Sequence, residues 1–300
     1  MFACKRKIMT KAYKVAGEIF QIEMEEGNAL WNSLCQYAPF ETEPCPDPLF
    51  TLALSRIPPE MEPEPLYVGH RNDREPWVDL YSTPDGGWYF ETAPDPESES
   101  VAAVLSEPGF KKAELEIRNG NCALFGLNNS LMMLFAFATA DKGILELHSS
   151  VVEYKGRAYA FLGVSGAGKS THSRQWLKAF PESRLLNDDN PVLRLTEDGG
   201  IKICGSPWSG KTPCYINREV DAGAFVDIRK SPFNKAVRMD LLHSYATIYS
   251  CCSGFKGDSR MADGLHRTME KVATEIPFFC MECLPDENAA RVCAASVVQQ

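Results

Sequence analysis

The sequence carries no long block of lysine or arginine: 31 basic residues face 40 acidic ones, for a formal net charge of −9. A chain with that balance does not grip nucleic acid or anionic lipid through charge, and any polyphosphate it binds needs a local positive site. Long apolar runs are missing too. The longest, Leu131 to Ala140, is about half of what a membrane-spanning helix requires. The basic start, Met1 to Arg6, is not followed by a signal-peptide core, because Lys11, Lys14 and Glu18 interrupt Met9 to Phe20. Nor do the eleven cysteines make a disulfide framework: their number is odd, their spacing irregular, and the chain too long for a stapled miniprotein. These absences set the expectation of a cytoplasmic protein with reduced thiols, with neither nucleic acid nor membrane among its partners and a homo-oligomer left open. No internal repeat is visible.

What is present is an ordinary globular composition, 44% hydrophobic and 24% charged, over 300 residues, enough for two modest domains or one large one. Residues 12 to 24 mix aliphatic, aromatic and charged residues in short runs, as an exposed strand pair does. Eleven of the twenty prolines lie between Pro44 and Pro96. Proline removes a donor and fixes φ, so short strands and loops are expected there, with Trp77–Tyr81 and Gly87–Thr92 as a hairpin around Pro84-Asp85-Gly86. Asn128 to Ala140 reads as a helix capped by Asn129 or Ser130, burying Leu131, Leu134, Phe135 and Ala138. Asp141-Lys142-Gly143 closes it and puts a domain boundary there. Residues 1–142 are then a β-rich α+β accessory or substrate domain, and residues 143–300 an α/β domain. In the latter, Leu145 to Tyr154 reads as a strand, Lys155-Gly156 as a tight turn, and Arg157 to Val164 as a second strand. A glycine-rich turn and a helix ending at Phe180-Pro181 follow, then a hairpin of Leu193–Leu195 and Ile201–Cys204 around Asp198-Gly199-Gly200. Hairpins mixed with strand-turn-helix imply a mixed sheet.

Gly163, Val164, Ser165, Gly166, Ala167, Gly168, Lys169 and Ser170 fit the phosphate-binding P-loop pattern at every position. Average composition produces such a match in roughly one chain of this length in a hundred. Here an apolar strand precedes it, and Ser170, Thr171 and the residues to Lys178 follow as a helix. Glycines let the chain curl so that successive N–H groups point at phosphate oxygens, and the helix adds its positive end. Lys169 is placed to reach the terminal phosphates of ATP, and the Ser170 hydroxyl to ligate Mg²⁺.

Phosphoryl transfer also needs carboxylates, for the metal and for the incoming nucleophile. Asp188 and Asp189 end a short apolar segment, Asp188 standing nineteen residues after Lys169. Adjacent acids on an extended chain face opposite sides, so one can face the metal and the other the nucleophile; the plain alternative is a turn, since Asn-Asp-Asp-Asn-Pro is good turn chemistry. His148 precedes the loop by two short strands and is either structural or brought near the phosphates by a hairpin. Gly205-Ser-Pro-Trp-Ser-Gly-Lys211-Thr212 matches the P-loop pattern a second time. Pro207 has no N–H to offer, Trp208 is bulky where close approach is needed, and Cys-Tyr-Ile-Asn reads as strand, so a second cradle is not expected. A functional loop, with Lys211 or Arg218 reaching substrate or phosphate, and a structural turn both stay open. Cys280 and Cys283 lie three apart on a strand-like run and face opposite sides, which suits buried small hydrophobes and not a chelate. His172 is expected merely to sit on the loop's helix. Arg229 and Arg238 are either solvated or available to the transferred phosphate.

Taken in order, Leu147-His148-Ser-Ser, a hairpin, Gly163 to Ser170, and Asn187-Asp188-Asp189 resemble the catalytic domain of HPr kinase/phosphorylase. ATP-type phosphoenolpyruvate carboxykinase looks like a more distant relative. The resemblance covers roughly residues 145 to 215, with an echo from Ile276-Pro277 to Leu284-Pro285-Asp286, and does not extend to the first 140 residues. It implies a mixed-sheet P-loop kinase domain in which Lys169 holds ATP phosphates and Ser170 binds Mg²⁺. It further implies Asp188 as the base accepting the acceptor's hydroxyl proton, Asp189 near the metal, and His148 supporting the charge state of that base. Ser149 stands where that family has glycine, and the segment contacting HPr has no match, so the phosphoacceptor, whether protein, peptide or metabolite, is open. Beside the kinase stand two alternatives: a nucleotide-gated binding protein without fast turnover, and a carboxykinase-like lyase or hydrolase.

Overall fold

The computed structural model describes residues 7–58, 63–69 and 77–298. The basic start at Met1 to Arg6 and parts of the proline-rich stretch, residues 59–62 and 70–76, lie outside the described residues. The chain divides into two compact units, Met1–Ala138 and Thr139–Gln300, against an expected boundary at 142/143. Each is α/β with a mixed nine-stranded sheet or branched sheet of its own.

In the first unit, β1 (Ile8–Val15) and β2 (Glu18–Glu25) form a hairpin closed by Ala16-Gly17, both at positive φ. This is the expected strand pair, but it is not exposed. Tyr13, Val15, Phe20, Ile22 and Met24 are buried at alternate positions, because one pleat face meets the core. The strands β3 (Glu41–Thr42), β4 (Thr51–Leu54), β5 (Glu64–Val68), β6 (Val78–Ser82), β7 (Trp88–Thr92), β8 (Ala102–Ser106) and β9 (Lys112–Ile117) complete the order β3-β1-β2-β4-β9-β8-β7-β6-β5. The hairpin expected around Pro84-Asp85-Gly86 is β6–β7.

Helix α1 (Ala123–Ala138) packs on this sheet, with Gly126 so close to Ala102 that a Cβ would stand 2.6 Å from that residue's Cβ. The helix begins five residues before the expected Asn128, so Asn129 and Ser130 are interior and cap nothing. Its lead-in turn is held by Asn119, whose side chain accepts from the Asn121 N–H, a local signal weaker than the apolar periodicity downstream. Leu131, Leu134, Phe135 and Ala138 are buried as expected. Gly120–Ala138 is long and apolar enough to cross a membrane, yet half of it is buried inside the unit, where Phe135 meets Phe20, and Phe137 meets Trp88 and Phe90.

The second unit starts with β10 (Ile144–Glu146), β11 (Ser149–Tyr154) and β12 (Arg157–Leu162). Lys155-Gly156 joins β11 to β12 with both residues at positive φ, as expected of a tight turn. Then come α2 (Lys169–Ala179), β13 (Arg184–Asp189), β14 (Val192–Leu195), β15 (Ile201–Cys204), β16 (Glu219–Lys230) and β17 (Lys235–Arg238). Helices α3 (Leu241–Cys251) and α4 (Ser259–Glu275), β18 (Phe278–Cys283) and α5 (Glu287–Val297) end the unit. The sheet runs β10-β14-β15-β16-β12-β11-β13, and the far half of β16 carries β18 and then β17. Strands β12, β16 and β18 are parallel, so their carboxyl ends gather on one side.

The expected strand from Leu145 to Tyr154 is two strands, broken at Leu147-His148, and the break is structural. β10 pairs with β14 while β11 pairs with β13, so two bent strands follow one another around a corner. The Leu147 N–H reaches the Pro191 carbonyl at 3.1 Å across that corner.

Trp176 on α2 centres the core, fully buried against Tyr154, Tyr159, Phe161 and Phe180. Trp176→Ala is expected to lower the stability of this unit by about 3–5 kcal/mol, read as a shift in the urea midpoint of its unfolding transition.

Candidate functional site

The glycine-rich loop follows the carboxyl end of β12 and opens α2, the placement that aims a helix N-terminus and loop N–H groups at an anion. Gly163, Gly166 and Gly168 take φ of 133°, 77° and 112°, a region that side chains resist. Gly163 has a second constraint. A Cβ there would stand 3.1 Å from the Ile228 carbonyl and 3.4 Å from an Asp227 oxygen on the neighbouring parallel strand β16. Lys169 folds back on the loop, its Nζ 3.0 Å from the Gly163 carbonyl and 3.4 Å from that of Val164. Burial lowers its pKa, opposed by the charges of Cys251, Asp189 and Asp188, so all three stand near the ammonium. Val164 is highly exposed, and Ser170 and Thr171 are half-buried in the first turn of α2.

Asp188 and Asp189 end β13; Asp188 is 5% exposed and Asp189 half-buried. Asp188 pairs with Ser150 and Asp189 with Ser149 on β11. Asp189 turns the corner at φ +138°, a conformation costing a non-glycine residue about 1–3 kcal/mol. His148 stands at the facing corner, its Nδ1 3.2 Å from Asp189 Oδ1 and its N–H donated to the Cys251 carbonyl at 2.7 Å. The structure thus brings His148, the adjacent Asp188 and Asp189, and Lys169 together from three separate segments.

Burial raises the Asp189 carboxyl above its usual range; the charges of His148 and Lys169 pull it down and Asp188 pushes it up again. Asp188 Oδ1 is buried with no hydrogen-bond partner among the described residues. Two neighbours that sequence reasoning missed share that condition. The Ser149 hydroxyl is buried without a hydrogen-bond partner among the described residues. Glu146 is fully buried, neither oxygen has a partner of good hydrogen-bond geometry, and only the Ser253 side chain helps it. Burial, and then the Asp189 charge, push the Glu146 carboxyl well up, which favours its neutral form. Nothing in the local spacing marks Glu146, Ser149 or Asp227, since their roles come from strand pairing across the corner and across the sheet.

The second P-loop-like stretch, Gly205 to Thr212, is followed by irregular chain up to β16 and opens no helix, so it lacks the positive helix end of a cradle. It lies instead along the free edge of β13. The Gly210 N–H and the Ser209 hydroxyl both donate to the Asp188 carbonyl, at 2.8 and 3.0 Å, and Ser209 bridges Asp189. Asn187, wholly buried, donates to Ser206 Oγ at 3.1 Å and to the Trp208 carbonyl at 3.2 Å. Lys211 is exposed beside Gly210.

Arg218 does not join the site. It pairs with Glu153 at 2.7 Å, near the opposite end of β11 from Ser149, because the chain has by then run back to start β16. Arg229 pairs with Asp227 at 2.8 Å. Of the cysteine pair on β18, Cys283 is buried and Cys280 half-buried, both as free thiols. Among the described residues no three His, Cys, Asp or Glu side chains group as a metal cluster; a P-loop Mg²⁺ is held mainly by phosphates and water with one or two protein oxygens.

Neither a scan against protein-family models nor a search of curated proteins finds a match for this chain.

His172 faces the core side of α2, where its Nε2 lies 3.2 Å from the Trp176 indole nitrogen, and burial pushes the imidazole down to about 4. An unfolded histidine titrates at about 6.5. Between those values the unfolded chain holds a proton that the folded chain refuses, so stability falls as pH drops through that window. Urea midpoints at pH 7 and pH 5 are expected to draw together for wild type and His172→Gln, because only wild type loses this contribution. An equal loss in both would rule out His172 as the source.

Proposed function

We propose that this chain is an ATP-dependent kinase of the HPr kinase type, transferring the γ-phosphoryl group of ATP to a hydroxyl acceptor. The observation that carries this reading is the convergence of Lys169 with the Asp188–Asp189–His148 corner, since a phosphate-gripping loop alone serves any nucleotide-binding protein. A kinase needs a carboxylate that is close to the transferred phosphate and has a free oxygen for the nucleophile's proton. Asp188 meets both requirements: it lies within electrostatic reach of Lys169, and its Oδ1 has no hydrogen-bond partner among the described residues.

The division of labour follows from the chemistry. The N–H groups from Gly163 to Thr171 and the Lys169 ammonium would hold the polyphosphate. The Ser170 hydroxyl and the Asp189 carboxylate would hold Mg²⁺, which neutralises phosphate charge when bound. Asp188 accepts the hydroxyl proton of the acceptor. His148, whose Nδ1 lies 3.2 Å from Asp189 Oδ1, would support the charge state of that base. Helix α2 and the paired strands hold these groups on rigid elements, which favours catalysis over mere binding. In this reading the protein works among reduced thiols in the cytoplasm, and the first unit is the accessory or substrate-facing part.

The test is calorimetric titration of Mg·ATP with a parallel turnover assay. Lys169→Ala is expected to lose Mg·ATP binding. Asp188→Asn is expected to keep that affinity and to lose ATP turnover by about 10²–10⁴-fold. If Asp188→Asn leaves turnover unchanged, the chain is a binding protein and not a kinase; if wild type does not bind Mg·ATP, the nucleotide site itself is wrong.

A further inference from the structure

We propose that the Gly205–Thr212 loop is the acceptor-side anion subsite of this centre, with Lys211 as its cation, and that the acceptor carries a carboxylate or phosphate next to the hydroxyl it presents. The inference rests on the kinase reading and extends it to a substrate class.

Strand order sets the geometry. The nucleotide loop leaves the end of β12, next comes β11, then β13 with the acid pair, and Ser209-Gly210 lies along the outer edge of β13. At a strand spacing of about 4.8 Å, the acids stand roughly 10 Å from the axis of β12, with the Gly205–Thr212 loop on their far side. A nucleotide phosphate held at Lys169 therefore approaches Asp188 and Asp189 from one side, and the other side is walled by this loop. In-line transfer requires the acceptor to enter opposite the leaving nucleotide.

The wall is built rigidly. Ser206 is fully buried, and its hydroxyl takes the Asn187 amide at 3.1 Å and the Trp208 N–H at 3.1 Å while reaching the Asn190 carbonyl at 2.5 Å. Gly205 and Gly210 stand where side chains do not fit: a Cβ would lie 1.9 Å from the Ile216 carbonyl oxygen in the first case and 2.8 Å from Asp189 Oδ2 in the second. Gly210 thus lies flat on the Asp189 carboxylate, and the next residue is Lys211.

Other basic side chains of this unit are already engaged. Lys169 grips its own loop, His148 pairs with Asp189 and Arg229 with Asp227, Lys256 donates to the Cys252 carbonyl, and Arg218 is held away from the site by Glu153. Lys211 is exposed and forms no ion pair among the described residues, although the Asp189 carboxylate packs on the residue before it, Gly210. A lysine on a fixed loop, next to a glycine packed on Asp189 and with no ion pair of its own among the described residues, is a point charge available to an incoming anion. A neutral alcohol would make no use of it. An acidic acceptor would, and the lysine would also offset its repulsion from Asp188 and Asp189.

The test uses O-phospho-L-serine, which carries both a phosphate ester and a carboxylate, titrated into Mg·ADP-saturated protein. Wild type, Lys211→Gln and Lys211→Arg are compared, with Mg·ATP affinity measured in each. The expected result is phosphoserine binding to wild type and, within a few-fold, to Lys211→Arg, and at least tenfold weaker binding to Lys211→Gln, with Mg·ATP affinity equal in all three. If phosphoserine binds wild type and Lys211→Gln equally, or fails to bind wild type although Mg·ATP binds, the subsite is overturned and the kinase reading stands. If Mg·ATP does not bind wild type, the kinase reading falls and takes this proposal with it.

Discussion

The bend at Asp189 is the constraint on which the arrangement of the second unit depends. A non-glycine residue at φ +138° does not hold that conformation by itself. It is held because β10–β11 and β13–β14 turn the same corner as paired bent strands, with Ser149 facing Asp189 on one side and Ser209 bridging it on the other. Asn187, one turn of the ladder earlier, accepts the Asn190 N–H at 3.0 Å and so ties the two arms of the bend together. Straightening the corner would separate His148 from Asp189 and carry Asp188 away from Lys169. Local strain is thus balanced by strand pairing elsewhere.

The same corner sets the electrostatics. Glu146, Asp188 and the Ser149 hydroxyl are buried, and all three keep oxygens without hydrogen-bond partners among the described residues, while Asp189 beside them is half-buried. Buried polar groups without partners destabilise a fold and are found where a ligand or a reaction uses them. The opposing groups, Lys169 and His148, come from the glycine-rich loop and from the corner before β11, so the balance of charge depends on segments meeting only in the folded chain.

Much of the second unit was legible because its signals are local. Lys155-Gly156 predicts a tight turn, and both residues adopt positive φ. Asp198-Gly199-Gly200 predicts a hairpin, and β14 pairs with β15 there. The helix after the glycine-rich loop ends at Ala179, just before Pro181. In the first unit, alternation revealed strands but not which face was covered, so the pair at residues 12–24 looked exposed until Phe50 and Phe135 closed over Phe20. The start of α1 lies before Asn128; asparagine and serine favour caps as well as turns, and the asparagine at position 119 caps the short 3-10 turn that leads into the helix.

By itself the sequence determined a glycine-rich loop of P-loop pattern, the acids at positions 188 and 189, the histidine at 148 and an α/β unit to carry them, because these depend on residue type at short spacing. Tertiary structure alone decided that Leu145 to Tyr154 would break at His148, that Glu146, Ser149 and Asp227 would crowd the same centre, and that Arg218 would be drawn off to Glu153. It also decided what a second P-loop-like string would become: with no helix after Thr212 and a free strand edge beside it, Gly205 to Thr212 folds as a wall against Asp188 and Asp189. A motif specifies which groups are available, but pairing between distant strands, whose register depends on burial along their whole length, determines what those groups face.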